Sequence, residues 1–142
     1  MKSFTQYKDL TYEVIGAAME VHRTLGSGLL EAVYSEALHL ELCERGIDNA
    51  VEVELPCYYK GQLMEKRYRM DMVVGDICIE MKSVSELSSL HRAQLFNYLR
   101  LTHMPIGLLI NFGGQSLEGE RYGYISEFNE CILLDKNMHY VP

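Results

Sequence analysis

The feature that most constrains the fold of this 142-residue chain is a predicted β-hairpin near its middle. Residues 69–74 and 77–82 are rich in apolar side chains, and the Gly-Asp pair at 75–76 suits a two-residue type II′ turn between them. If the two strands pair outward from this turn, Asp71 stands directly opposite Glu80. The sequence therefore predicts two carboxylates side by side within a largely apolar hairpin.

Glu80 and Lys82 share one face of their predicted strand, because the side chains of a strand alternate between its two faces. Cys78 shares that face and Val73 is expected opposite it, so the face is predicted to be buried and not an exposed surface with ordinary charges. A charge buried in a core strand is costly unless it is paired or bound to a metal. Mg²⁺, which accepts carboxylate, carbonyl and water oxygens, would remove the repulsion between Glu80 and Asp71.

Hydrophobic periodicity and turn residues predict an alternation of helices and strands along the chain. The predicted helices are 11–25, 29–45 and a segment that begins at Ser88 or Ser89 and runs to about 103. The predicted strands are 51–57, 63–74, 77–82, 106–112, 121–126 and 131–134. The apolar segment 106–112 is typical of a central strand buried on both faces, and the whole order indicates an α/β sheet with helices on its faces.

Composition predicts one globular domain, since 48% of the residues are hydrophobic and 23% are charged. No segment approaches the ~18–20 apolar residues of a membrane span, and the N-terminus lacks the apolar core of a signal peptide. The net charge of −7 argues against a general nucleic-acid coat protein, although metal ligands could account for part of it. The cysteines lack C-x-x-C spacing, which is typical of reduced thiols in a cytoplasmic protein and not of a zinc site: Cys43, Cys57, Cys78 and Cys131.

Two of the predicted helices carry polar residues on stripes that should face the core. Glu31 is in line with Tyr34, and it is either a first-turn acid favoured by the helix dipole or a third acid beside the carboxylate pair. In the later helix the stripe consists of Gln94, Asn97, Tyr98 and Leu101. Buried amides and phenols need partners, which either a structural hydrogen-bond network or a catalytic site could supply. His91, one turn earlier, is a candidate ligand or phosphate contact or a structural residue.

The remaining notable residues are three tyrosines in predicted strands and two groups of basic residues. We interpret Tyr58, Tyr59 and Tyr68 as packing residues. Two groups of basic residues are interpreted as solvated faces: Lys60, Lys66, Arg67 and Arg69, and then His91, Arg92 and Arg100.

The order of these residues resembles the PD-(D/E)XK nuclease signature, because Asp71 is followed on the next strand by Glu-Met-Lys at 80–82. Met70 occupies the place of the proline, which is a loose element of the signature. The segment 94–98 (Gln-Leu-Phe-Asn-Tyr) is similar to the Q-x-x-x-Y motif of the RecB-like branch. The segment 28–34 matches the motif that names the GxxExxY protein family, a compact member of the same superfamily.

This resemblance covers about residues 12–121, and it implies a restriction-endonuclease-like core with a central mixed β-sheet flanked by α-helices in a single domain, 1–142. It implies a Mg²⁺ or Mn²⁺ ion held by Asp71, Glu80, the Met81 carbonyl and Glu31. Lys82 would orient or deprotonate the attacking water or stabilise the pentacovalent phosphate. The residues expected to support the site or contact the substrate are Gln94, Tyr98, His91 and Tyr34.

The function that follows from the resemblance is metal-dependent hydrolysis of phosphodiester bonds, in DNA, by an endo- or exonuclease that forms a homodimer. One alternative is a catalytically silent module of the same fold that binds nucleic acid or a protein partner. Another is a metal hydrolase acting on a small phosphorylated compound, but Gly-Gly at 113–114 lacks the lysine pattern of a nucleotide-binding loop. No partner in a membrane is expected.

Overall fold

The computed structural model describes residues 2–142, which contain three α-helices and six β-strands. After a short 3-10 helix at Thr5–Tyr7, the helices are α1 (Lys8–Leu25), α2 (Glu31–Glu44) and α3 (Ser89–Thr102). The strands are β1 (Ala50–Tyr59), β2 (Gln62–Val74), β3 (Ile77–Lys82), β4 (Ile106–Asn111), β5 (Glu118–Ile125) and β6 (Glu130–Leu134). The predicted order of elements is confirmed, although α1 begins three residues earlier than expected.

The six strands form one mixed sheet in which each strand lies beside its neighbour in sequence, from β1 to β6. Within this sheet β3 and β4 are parallel, and every other neighbouring pair is antiparallel. Parallel neighbours need a connection that returns the chain to the same end of the sheet, and α3 provides it between β3 and β4. The predicted α/β fold with a central mixed sheet is confirmed.

Two apolar cores lie on opposite sides of this sheet, and the side chains of β3 alternate between them. Ile79 and Met81 pack in the larger core together with residues of α1 and α2. Cys78 packs in the smaller core together with residues of α3. All six residues of β4 are buried, which confirms the prediction of a central strand covered on both faces.

The hairpin formed by β2 and β3 has the predicted register. The three residue pairs nearest the turn are those expected, and Met72 opposite Ile79 is the outermost of them. Gly75 adopts a φ of 55°, which the first position of a type II′ turn requires and which glycine adopts without a steric penalty. Glu80 is only 2% exposed, so its face is buried and the alternative of an exposed charged surface is wrong.

The interpretation of three strand tyrosines as packing residues is wrong. Tyr58 and Tyr68 are 64% and 48% exposed, and Tyr59 is also exposed. Residues 62–69 of β2 are exposed throughout, because this half of the β1–β2 ribbon has no helix covering either face completely. None of the helices within residues 2–142 is long and apolar enough to span a membrane.

Asn111, at the end of β4, holds the loop between β3 and α3 through hydrogen bonds of its side chain. Its carboxamide oxygen accepts hydrogen bonds from the backbone N–H groups of Val84 and Gly113, each at 3.0 Å. Its nitrogen donates to the Val84 carbonyl and to Glu118, each at 2.9 Å. A Cβ atom at position 113 would overlap the Val84 carbonyl, so the glycine allows this close approach of the two backbones.

Asn111→Ala is expected to lower the free energy of unfolding by about 1–3 kcal/mol, because it leaves both backbone groups of Val84 without partners. Urea denaturation measures this change. Asn97→Ala is the matched control, since Asn97 is exposed on α3 and its replacement should change stability by no more than about 0.5 kcal/mol. Equal effects of the two substitutions would contradict the assigned role of Asn111.

Candidate active site

The candidate site is centred on two carboxylates, each of which binds the backbone of the other's strand. The backbone N–H of Asp71 donates to Glu80 Oε1 at 3.1 Å, and the N–H of Met81 donates to Asp71 Oδ2 at 2.8 Å. These side-chain hydrogen bonds follow directly after the last regular pair of the β2–β3 ladder. The predicted neighbourhood of Asp71 and Glu80 therefore arises from strand pairing, and local backbone groups hold both side chains in place.

Along β2, the side of the sheet toward which the side chains point changes at Asp71. The sequence did not predict this change. Met72 packs in the larger core, whereas Met70, two residues away, packs in the smaller core on the other side of the sheet. Glu52 of β1 lies opposite Asp71 in the strand register and has a φ of 50°. This value is uncommon for a residue other than glycine and marks an irregularity in the ribbon. Asp71 is therefore next to Glu80, and it also lines a cavity on the side of the sheet that α2 covers.

A cavity of about 180 Å³ lies on the α2 side of Asp71. Its lining consists of Glu31, Ala32, Ser35, Glu52, Asp71 and Met81. Glu31 begins α2 and is exposed at the rim of this cavity, while Tyr34, Leu38 and Leu42 of the same stripe are buried. The negative charge of Glu31 helps to raise the pKa of Asp71, so the two acids interact. Glu52 is an additional acid at the cavity, and the sequence did not single it out.

Burial dominates the electrostatics of the carboxylate pair. Burial, and after it the charge of the neighbouring Asp71 carboxylate, raise the pKa of Glu80 to about 8. Burial also raises the pKa of Asp71, although the Met81 N–H and the positive charge of Lys82 oppose the shift. Two carboxylates in this environment do not both ionise readily unless a positive charge joins them.

Lys82 is held by a short chain of hydrogen bonds that crosses from β3 to α3. Its Nζ donates to Gln94 Oε1 at 3.0 Å, and Gln94 Nε2 donates to the Tyr98 hydroxyl at 3.1 Å. Tyr98 is buried, and burial together with the charge of Glu80 raises its pKa. Of the four residues on the predicted stripe of α3, Gln94 and Tyr98 face the site, whereas Asn97 and Leu101 are exposed.

The first turns of α3 are anchored by His91 and Arg92. His91 forms a capping box with Ser88, in which the Ser88 N–H donates to His91 Nδ1 at 3.0 Å and the His91 N–H donates to Ser88 Oγ. Arg92 donates from two nitrogens to the two carboxylate oxygens of Glu120 on β5, each at 2.8 Å. His91 therefore has a structural partner, and Arg92 is an ion-pair residue and not part of a solvated face.

The loop before α2 is tied to the loop after β3. The Tyr34 hydroxyl donates to the Gly26 carbonyl at 2.5 Å and accepts from the Leu29 N–H at 3.2 Å. Ser83, which directly follows Lys82, donates to the Leu29 carbonyl at 2.7 Å. Tyr34 therefore fixes the backbone that carries Glu31 into the site, and it does so from within the core.

The donor atoms fit a divalent cation. The hydrogen bonds of residues 2–142 use Glu80 Oε1 and Asp71 Oδ2, which leaves a second oxygen on each carboxylate for another ligand. Carboxylate oxygens, a backbone carbonyl and water suit Mg²⁺ or Mn²⁺. In the part of the chain that the structure describes, no three His, Cys, Asp or Glu side chains form a metal-binding group. Any cation bound here would therefore complete its coordination with backbone or water oxygens.

Comparisons with known proteins bear on the fold and the family of the chain. The solved structure titled "Crystal structure of SSO0001" matches with a TM-score of 0.54 and 18% sequence identity over 87% of this chain, a likeness that shows the fold alone. The match spans 64% of the length of that protein. No curated protein matches the sequence. The sequence profile of the PD-(D/E)XK nuclease superfamily matches residues 8–122, and the restriction-endonuclease-like fold expected for it is present. The chain belongs to the PD-(D/E)XK nuclease superfamily.

Proposed function

We propose that this protein is a nuclease that uses Mg²⁺ or Mn²⁺ to hydrolyse phosphodiester bonds, with DNA as the expected substrate. The observation that carries the proposal is the pairing of the half-buried Asp71 with the buried Glu80, two residues before Lys82 on β3. Raised pKa values show that this pair is unfavourable as two free anions, which is the situation that a bound cation relieves. A chain that needed only stability would gain from apolar residues at these positions.

In this proposal Asp71, Glu80 and the Met81 carbonyl hold the cation directly, and Glu31, at the rim of the cavity, contributes as a ligand through a water molecule. When bound, the cation would lower the pKa of water and offset negative charge on the phosphate. The ammonium of Lys82 lies beside the same carboxylates and would orient the attacking water or stabilise charge on the phosphate. Gln94 keeps Lys82 in position, because its carboxamide is itself held by Tyr98.

We further propose that the chain belongs to the GxxExxY family and to the RecB-like branch of the superfamily. In support, Gly28 adopts a φ of 93°, which disfavours any other residue, and the Tyr34 hydroxyl binds the same loop. The spacing in the motif would then serve to present Glu31 to the cavity. The Gln94–Tyr98 hydrogen bond likewise gives the Q-x-x-x-Y motif a physical role. A cytoplasmic location, a single domain and a homodimer remain expectations, the first supported by the four free cysteines.

Isothermal titration with Mn²⁺ tests the proposal. The wild-type protein is expected to bind the ion, and the double variant Asp71→Asn, Glu80→Gln is expected to lose binding, because both changes keep side-chain shape and remove charge. The matched control is Asp76→Asn with Glu86→Gln, which neutralises two exposed acids nearby in the sequence and should leave binding unchanged. Absence of binding to the wild-type protein, with and without a short DNA duplex, would favour the catalytically silent module.

A further inference from the structure

The distal half of the β1–β2 ribbon, residues 55–70, has a charge opposite to that of the whole protein. This segment, called here the basic arm, contains four basic residues, Lys60, Lys66, Arg67 and Arg69, and one acid, Glu65. The whole chain has a net charge of −7. Arg69 is paired with Glu52 at 4.0 Å, and the remaining basic side chains still make the arm more favourable for a polyanion than the chain as a whole.

A groove of about 650 Å³ lies between the basic arm and the exposed side of α3. The arm contributes the exposed rings of Tyr58 and Tyr68 together with apolar side chains, and α3 contributes Arg100 and Leu101. The groove is therefore aromatic and apolar, with a guanidinium at its edge. Aromatic faces next to a positive charge are the combination that binds unpaired nucleotides, whose bases stack and whose phosphates need a cation.

This groove borders the α3 side of the candidate active site. The ring of Tyr68 meets the ring of Tyr98 edge to face, with the centroids 5.7 Å apart. Tyr98 is joined through Gln94 to Lys82. A strand of nucleic acid in the groove would therefore lie on the α3 side of the site, next to the ring that holds Gln94 and, through it, Lys82.

We propose that the groove binds a single-stranded stretch of nucleic acid, with bases stacked on Tyr58 and Tyr68 and phosphates close to Arg100. This inference takes nucleic acid as the ligand from the proposed nuclease function, but the binding experiment that tests it does not require nuclease activity. Duplex DNA keeps its base faces stacked inside the helix and presents mainly phosphates, so it would leave the apolar floor of the groove uncovered. An unpaired segment matches both the aromatic and the basic parts of the surface.

Fluorescence anisotropy tests the groove in EDTA, where metal binding and cleavage do not occur. The probes are a labelled single-stranded DNA, its abasic counterpart of equal length, the same sequence as RNA, and the DNA duplex. We expect the single strands to bind more tightly than the duplex and the abasic strand. Tyr58→Ala and the double variant Tyr58→Ala, Tyr68→Ala should weaken binding of intact single strands at least about fivefold. The matched control is Tyr12→Ala, an exposed tyrosine on α1, which packs on the opposite side of the sheet.

Three outcomes would overturn the inference: equal affinity for intact and abasic strands, equal affinity for single strands and duplex, or a Tyr58 variant indistinguishable from the Tyr12 control. Sedimentation provides a further check, because a wild-type dimer that Tyr58→Ala dissociates would identify a second copy of the chain as the occupant. Metal-dependent cleavage without single-strand binding would refute the proposed role of the groove and leave the proposed nuclease function standing. Single-strand binding that depends on Tyr58, in a protein that cleaves no substrate, would support the proposed role of the groove and refute the proposed nuclease function.

Discussion

Replacing Lys82 with alanine is expected to lower the rate of metal-dependent phosphodiester cleavage by about 10²–10⁴-fold while the fold is retained. The Lys82 ammonium lies close enough to the carboxylate pair to lower the pKa of both acids, and Gln94 fixes its Nζ at 3.0 Å. A positive group held in this way can act on the phosphate or the water without first reorganising. Single-turnover assays with Mn²⁺ on single-stranded and duplex substrates measure the loss, and circular dichroism checks the fold.

Two further variants make this experiment specific. Lys8→Ala removes an exposed cation from α1 and should leave the rate unchanged, so it controls for the loss of one positive charge. Gln94→Ala removes only the group that positions Lys82, and we expect a loss of about tenfold, smaller than that of Lys82→Ala. Cleavage by Lys82→Ala at the wild-type rate would refute its assigned role, and a larger loss in Gln94→Ala would assign the main role to Gln94.

The carboxylate pair could be predicted from the sequence because the hairpin that creates it is regular near its turn. Counting outward from Gly75 gave the correct pairs as far as Met72, and Asp71 follows immediately. The same count fails in the neighbouring ribbon, because a bulge between Pro56 and Tyr58 shifts the register of β1 against β2. Glu52 therefore lies opposite Asp71 for a reason that no sequence count could supply, and its place at the cavity was missed.

Whether a side chain is exposed was harder to predict from the sequence than the face of the strand or helix on which it lies. Strand periodicity indicates which side chains share a face but not whether another element covers that face, and this is why Tyr58 and Tyr68 were misjudged. On α3, side chains spaced three and four residues apart form a wide stripe on the helix surface. Only the part of this stripe that packs against the sheet is buried. Gln94 and Tyr98 lie within that part, whereas Leu101 lies outside it.

The family resemblance was a stronger predictor than any single motif. The superfamily profile matches residues 8–122, close to the range 12–121 over which the motifs were recognised. The roles of individual residues do not follow from this match, and His91 illustrates the difference. Its position one turn before Gln94 left a ligand or phosphate contact and a structural role both open, and the structure gives it the structural one, since its ring completes the cap of α3 in the place where glutamate is more usual.

Glu80→Gln is expected to stabilise the metal-free protein at high pH. The pKa of Glu80 is raised to about 8 in the folded protein, above the value of about 4.3 for an unperturbed glutamate. Between these two values the folded state holds a proton that the unfolded state releases, so the free energy of unfolding of the wild type falls as pH rises through this window. We expect a fall of about 2–5 kcal/mol from pH 4 to pH 9, and Asp71 contributes with the same sign.

Glutamine keeps the oxygen that accepts the Asp71 N–H but cannot ionise, so the variant should lose most of this pH dependence and exceed the wild type in stability at pH 9. Urea denaturation in EDTA at pH 5, 7 and 9 measures the effect. Glu86→Gln, at an exposed acid, should follow the wild-type curve. A variant as steep as the wild type would show that the Glu80 carboxylate is not the group responsible.

The same substitution should act in the opposite direction on metal binding and cleavage. Mn²⁺ at pH 9 is expected to raise the unfolding free energy of the wild type, because a ligand that binds only the folded state stabilises it, and to leave Glu80→Gln unchanged. A single change would then make the fold more stable and remove its ligand. Such a pair of results would mean that the buried carboxylate is present for a cation and not for the stability of the sheet, whereas stabilisation of both proteins by Mn²⁺ would place the ion elsewhere.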